Sequence, residues 1–463
     1  MPTRSFRHAA RTVGAAAFVF GALVAQPGPA LANGRFPAAN QLVIFPRAPE
    51  NLVLRATFGI LFSHDAGKTW DWVCERAVGY GGIEDPALGV VGARTVLAGT
   101  FEGLGVSQDL GCSWRFVEGE PKSDVFIDVT ARSVDPRSAL ALTSTYLGDD
   151  AGASLYASRL FATADEGATW HRHGVALPAY ALAETVDGAP SDPARLYASA
   201  ARADRSAGLF YASRDDGQTF TETLIQLAPS ERAPFIAAVD PVNADRVYVR
   251  TGGGPRSRLL VTDDGGRTFR EVFAGAPLLG FALSADGSRI WVGNSDGLYT
   301  ATRPDLAFTK RSNVSIQCLA HAGGILYACS AESSGFIVGA SRDDGATFEP
   351  LLHLSTVRAP LDCPANTSAA VCSLEWPALR EQLGIPDDAG ADGGRGAASS
   401  NDEGGCSVSF GSFGSFGSLG PLGSRTLGGG IPAGAASLFT LAAAAVARRA
   451  RRASRQRAER KSS

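Results

Sequence analysis

The stretch SRDDGQTF, Ser213–Phe220, reads as a tight turn between two strands. Its Asp at the third position accepts hydrogen bonds from backbone N–H groups of its own turn, and the hydroxyl at the first position does the same. Gly at the fifth position supplies a left-handed backbone, and the closing aromatic starts the next strand pointing into a core. The pattern Ser/Thr-x-Asp-x-Gly-x-Thr/Ser-Trp/Phe recurs as SHDAGKTW at Ser63–Trp70, SQDLGCSW at Ser107–Trp114 and TADEGATW at Thr163–Trp170. It returns as TDDGGRTF at Thr262–Phe269 and SRDDGATF at Ser341–Phe348. Apolar strands such as Gly59–Phe62, Gly208–Tyr211 and Arg258–Val261 precede the copies.

Successive copies lie 44, 56, 50, 49 and 79 residues apart, so the last gap has room for one decayed copy. The segment ATRPDLAF, following Gly297–Thr300, occupies that place and lacks the Asp and Gly at their positions. Each unit also has two earlier strands, as Phe235–Val239 and Arg246–Val249 on either side of Asp240-Pro241. Seven units of four short strands predict an all-β, seven-bladed β-propeller of four-stranded antiparallel blades. The first unit is complete within Gln41–Cys74, so no strand exchange is visible that would close the ring.

The octapeptide resembles the Asp-box, or BNR, repeat of sialidases, sortilin-type receptors, some xyloglucanases and a photosystem II assembly factor, over roughly residues 36–357. That resemblance implies outer blade hairpins remote from the ligand site. Asp65, Asp109, Asp165, Asp215, Asp264 and Asp343 are then staples of equivalent turns, since one active site has no use for six equivalent carboxylates. Sialidase-type chemistry would need Arg residues clamping a carboxylate, a Tyr activated by Glu, and an Asp acid. The candidates are Arg35, in Arg35-Phe36-Pro37, and Tyr80, Glu84 and Asp85 on one inter-blade loop; no second and third Arg can be located. His171 and His173 share a strand face without a third ligand, so neither a metal nor another cofactor is expected. The expected function is a non-catalytic binding or interaction scaffold for protein or glycan ligands. An exo-acting glycoside hydrolase of the sialidase type is the alternative.

The 463 residues are 45 % hydrophobic and 19 % charged, enough apolar mass for a large core. The formal charge of −3 hides an uneven distribution. Residues 1–32 carry three Arg and no acid, and the last 16 residues carry seven Arg, one Lys and one Glu. Residues 33–447 are left with 32 basic and 45 acidic side chains, a balance that repels a phosphate backbone and argues against nucleic acid. Arg4, Arg7 and Arg11, the apolar run Val13–Ala25 and Ala30-Leu31-Ala32 predict a signal peptide over 1–32 and an exported protein.

The propeller is expected over 33–375, a short helical stretch and disordered linker over 376–405, and a sorting or anchor segment over 406–463. Six cysteines in the body allow 15 connectivities. Cys318 and Cys329 sit opposite each other in a hairpin turning at Gly323-Gly324, with Cα atoms about 5.5 Å apart. Cys363 could close a short loop with Cys372, leaving Cys74 with Cys112. Cys406, the uncharged run 431–446 and the terminal Arg cluster resemble the myxobacterial C-terminal sorting signal, MYXO-CTERM. The departure is a longer spacer after the Cys. The resemblance implies an envelope sorting protease acting near Cys406 and a membrane tether at the cell surface; the alternative is a plain C-terminal membrane anchor.

Overall fold

The computed structural model describes residues 36–386 except 82, 83, 134 and 151. The predicted signal peptide, Arg35, Cys406 and the apolar run 431–446 lie outside the described residues. Among the described residues twenty-eight strands form seven four-stranded sheets, each built from four consecutive strands in chain order. All pairings within the sheets are antiparallel, as short hairpin connections require. The first strands of successive blades touch one another around the whole circuit, ending with Ala39–Ile44 of blade one against Cys318–Ala322 of blade seven. The chain is therefore a closed, seven-bladed propeller, with its first strands around the axis. No helix among the described residues is long and apolar enough to cross a membrane.

Every intact octapeptide joins the third and fourth strands of its blade. Around Asp65, Oδ1 accepts the Thr69 amide at 2.9 Å and Oδ2 the Thr69 hydroxyl at 2.7 Å. The Ser63 hydroxyl donates to Oδ1 at 2.9 Å and accepts the Gly67 amide at 2.8 Å. The same bonds recur at Asp165, Asp215, Asp264 and Asp343. The turn needs two left-handed residues in succession. The fourth position has positive φ even where it is Ala66, Leu110, Glu166, Asp216 or Asp344, and the conserved pattern of bonds holds it there. The following Gly packs against the preceding blade, so that a Cβ on Gly111 would lie 2.5 Å from the Phe62 ring. Blade six turns at Arg303–Phe308 without these carboxylate bonds; Leu306 takes positive φ and is buried among Ile290, Val261 and Tyr248.

Ring closure uses a strap. After the last strand, Glu349–Leu352, the chain crosses to blade one, where Trp72 and Pro360 form a parallel bridge. The Arg358 amide donates to the Trp70 carbonyl at 3.0 Å and the Leu361 amide to the Trp72 carbonyl at 2.8 Å. The Arg358 guanidinium grips Asp71. Disulfides then bind the strap: Cys74 with Cys372 and Cys112 with Cys363. This corrects the pairing of Cys363 with Cys372 and of Cys74 with Cys112. Sequence neighbours were the wrong choice because the strap runs past blade one to blade two, bringing each of its cysteines onto a partner some 250–300 residues away. Cys318 and Cys329 are bonded in register, their Cα atoms 4.7 Å apart. Three disulfides fit an exported protein. The helix Trp376–Leu383 buries Leu379 and Leu383 in the blade-one core, so it packs as part of the propeller rather than as a stretch apart from it.

Candidate functional site at the ring mouth

In a four-stranded antiparallel blade, the 1–2 and 3–4 turns lie on one face. The 2–3 turns and the links to the next blade lie on the other. The octapeptides occupy the first face, and the Tyr80–Pro86 link between blades one and two belongs to the second. Near this second face the first strands of blades one, three and four each carry one unpaired extra residue, Asn40, Ile127 and Glu184, and blade five carries one at Ala237, closer to the octapeptide face. Such a bulge re-aims the side chains beside it.

The residue after three of these bulges staples its blade to the next. The Gln41 amide group donates to the Leu88 carbonyl and accepts the Leu88 amide, both at 3.0 Å. Asp128 accepts the Val186 amide at 3.0 Å, and Thr185 accepts the Ile236 amide at 2.9 Å. Asp187 accepts the Gly188 amide at 2.9 Å and the Thr130 hydroxyl at 3.3 Å. Burial pushes the Asp128 carboxyl up to about 7, against the pull of the Val186 amide. Burial likewise raises Asp187 to about 6.

Two ionic lobes stand at the bulges. In the first, Arg55 donates from Nε to Asn40 Oδ1 at 2.7 Å and from Nη1 to the Pro86 carbonyl at 2.9 Å, while Asn40 donates to Asp85 at 3.2 Å. Glu84 is buried and accepts the Phe101 amide at 2.5 Å. Tyr80 is 6 % exposed, and its hydroxyl has no hydrogen-bond partner among the described residues. Burial pushes that hydroxyl well above its usual range, helped by the negative charges of Glu75 and Asp85. The structure thus gathers Asp85 with Asn40 and Arg55, and places Tyr80 and Glu84 in the same link with other surroundings.

The second lobe was not found by sequence reasoning. Glu184 of blade four is buried, and burial raises its carboxyl to about 8 against the positive charges of Arg205 and Arg250. Arg205 lies at the tip of the 2–3 hairpin of blade four. Arg250 lies in the second strand of blade five, its guanidinium 4.5 Å from the Phe235 ring centroid, and burial lowers it to about 10. Arg55 and Arg250 are structural equivalents: each is the fourth residue of its second strand, paired with the residue three before the octapeptide. A lone Arg closing an apolar run, Leu52–Leu54 or Val247–Val249, is the signal that could have marked both. Beside this lobe blade three raises its 2–3 hairpin, with strands of twelve and eleven residues, carrying Tyr146 and Tyr156 edge to face at 5.8 Å. The Tyr156 amide donates to the Ala179 carbonyl at 2.8 Å, which ties the hairpin to the entry of blade four.

His173 contacts Asp216 at 3.1 Å across the junction of blades three and four. A cavity of about 240 Å³ lies at the outer rim between blades four and five, lined by Leu224, Ile225, Phe269 and Arg258, the last of which is committed to Glu231.

No family model matches this chain, and no curated protein matches it. Among solved structures it is similar to an ancestral GH74 enzyme, at 13 % identity and a TM-score of 0.47 over 69 % of this chain. The chain spans 45 % of that enzyme's length. It is also similar to the hydrazine synthase of Kuenenia stuttgartiensis, at 11 % identity and a TM-score of 0.47 over 67 % of this chain and 96 % of that one. For YCF48 bound to D1 peptide the values are 13 % identity and 0.43, over 63 % of this chain and 88 % of that one. The propeller assignment rests on the chain's own strand order and ring of first-strand contacts.

Proposed function

We propose that this protein is an envelope-anchored, non-catalytic binding propeller that receives a protein or glycan ligand at the ring mouth opposite the octapeptide turns. The observation that supports it is how the mouth uses its acids. Asp85, Glu84, Asp128 and Asp187 are engaged by Asn40, backbone amides or Thr130, and so serve to hold links and blades. Tyr80, the candidate nucleophile, is buried with its hydroxyl pushed well above its usual range, which disfavours the phenolate a sialidase-type attack requires. A rigid ring with varied links on one face remains, which suits ligand presentation. The test is turnover of a fluorogenic arylsialoside by the purified protein. No hydrolysis above background is expected; hydrolysis abolished by Tyr80→Phe would establish the glycosidase reading instead.

The same reading gives the protein its address. Residues 1–32 direct export, a sorting protease acts near Cys406, and the Cys tethers the propeller to the membrane at the cell surface while the segment from Ile431 onward is removed. Mass spectrometry of membrane-extracted protein should find a C-terminus close to Cys406. Recovery of chain through Ser463 in the mature protein would restore the plain anchor.

A further inference from the structure

A strand at the edge of a sheet leaves a row of backbone N–H and C=O groups unpaired, and proteins blunt such edges with short strands, Lys or Pro, bulges or a covering segment. Among the described residues six of the seven outer strands are blunted in one of these ways. Asp71–Val73 is covered by the strap, Arg115–Phe116 has two residues and His171–His173 has three. Arg270–Gly275, Thr309–Ser312 and Glu349–Leu352 carry bulges at Val272, Arg311 and Leu351, and Pro350 stands in the last. The exception is Thr221–Ile225 of blade four. Its five residues run in unbroken register with Gly208–Ser213, and none is Lys, Arg or Pro. Its one charge, Glu222, is held by the hydroxyls of Tyr180 and Tyr211, both at 2.8 Å.

Blade one shows what such an edge accepts. Trp72, paired with Leu61, turns its N–H and C=O outward to the strap: its amide donates to the Ala359 carbonyl at 2.9 Å, and its carbonyl accepts the Leu361 amide at 2.8 Å. In blade four, Tyr211 and Glu222 pair at the same distance from their octapeptide. The N–H and C=O of Glu222, and by alternation of Leu224, therefore face outward, where among the described residues no other element bonds them. The Gln226 carbonyl, next in the alternation, accepts from Arg258 Nη2 at 2.9 Å. Beyond this edge lies the cavity of about 240 Å³ against blade five. Ile225 faces blade five, packed with Val247, Val249 and Leu260, and Thr223 shares its side. Leu224, on the opposite side, is 60 % exposed.

We propose that the outer edge of blade four binds an extended peptide segment of a partner protein as a fifth, parallel strand, on a surface separate from the ring mouth. The added strand repeats on blade four what residues 358–361 do on blade one. Backbone bonds to Glu222 and Leu224 set its register. Every second side chain of the strand faces blade five, and one enters the cavity over Leu260 and Phe269. An apolar void of about 150 Å³ holds benzene, so this cavity has room for a large apolar side chain. At the octapeptide end of the cavity stands Arg267, whose guanidinium takes part in no hydrogen bond or ion pair among the described residues; Arg258, at the other end, is held by Glu231 at 2.6 Å. A parallel strand enters from the octapeptide face, so Arg267 calls for an acidic residue two places before the apolar one.

The probe is a fluorescein-labelled hexapeptide, Thr-Asp-Thr-Trp-Thr-Val, titrated into the purified protein with its disulfides intact and followed by fluorescence anisotropy. Saturable binding is expected, with slowed hydrogen exchange at the Glu222 and Leu224 amides. The same peptide with Lys in place of Asp should bind at least fivefold more weakly, and Arg267→Glu should reverse that preference. Leu224→Pro removes an outward N–H without touching the ladder to Gly208–Ser213, and should weaken binding at least tenfold. Thermal melts confirm that each variant is folded. Absence of hexapeptide binding overturns the proposal. So does binding that leaves the Glu222 and Leu224 amides exchanging as in the free protein, or that is indifferent to both Leu224→Pro and Arg267→Glu.

Discussion

The two faces of the ring use carboxylates to opposite ends. Burial would push the Asp165 carboxyl up, but the Thr169 hydroxyl and amide and the Thr163 hydroxyl hold it down to about 2. At the mouth, burial carries Asp128 to about 7 and Glu184 to about 8, where two amides serve the first and no hydrogen bond from the described residues serves the second. Each intact octapeptide satisfies its carboxylate within eight residues, so the turn recurs in six of the seven blades. Groups at the mouth depend on neighbours from other blades, so every blade differs. Repetition marks scaffold here, and bonds that reach from blade to blade mark the face on which the blades differ.

The strongest challenge to that contrast loosens the strap. If repeated turns alone kept the ring shut, removing one of its two disulfides would matter little. We expect the double variant Cys74→Ser with Cys372→Ser to lose about 4 kcal/mol, because the bond closes a long loop of the unfolded chain. Denaturant unfolding measures this, and a loss smaller than that of a single octapeptide variant would mean that this disulfide does not hold the ring shut. Next in size, Asp65→Ala should cost about 1–2 kcal/mol by orphaning the Thr69 donors, and should leave ligand binding at the mouth unchanged. Binding lost at full stability would make the octapeptide face functional and erase the division of labour.

A third test is a pH profile of opposite sign on the two faces. The turn aspartates have folded-state values below their unfolded ones. Their contribution is present above about pH 4 and is lost as the pH falls through the folded-state values near 2. Asp128, Asp187 and Glu184 have folded-state values above their unfolded ones, at about 7, 6 and 8. The native state holds their protons where the unfolded chain has released them, so stability falls as the pH rises from 4 toward 8. Melting temperatures of the wild type and Asp128→Asn at pH 5 and pH 8 sharpen the point. The variant, unable to ionise there, should lose less stability than the wild type over that interval; equal losses would mean that Asp128 does not titrate in the folded ring.

What could be read from the chain alone follows locality. The octapeptide compresses a whole turn into eight residues, so its six copies count blades, and the gap before Ser341 marks the seventh at Arg303–Phe308. The Cys318–Cys329 pair is legible for the same reason, a two-residue turn fixing its register. Three things needed the folded ring. The partners of Cys74 and Cys112 come from a strap that the circular architecture brings back to the start of the chain. The bulges at Asn40 and Glu184 carry no local signature, because a bulge is a mismatch between two strands rather than a property of one. The lobe at Asn40 closes because Asn40 meets Arg55 of its own blade and Asp85 of the next link. Short-range hydrogen bonds write the scaffold into the sequence; which side chains face one another across a closed ring is decided only when seven blades pack around one axis.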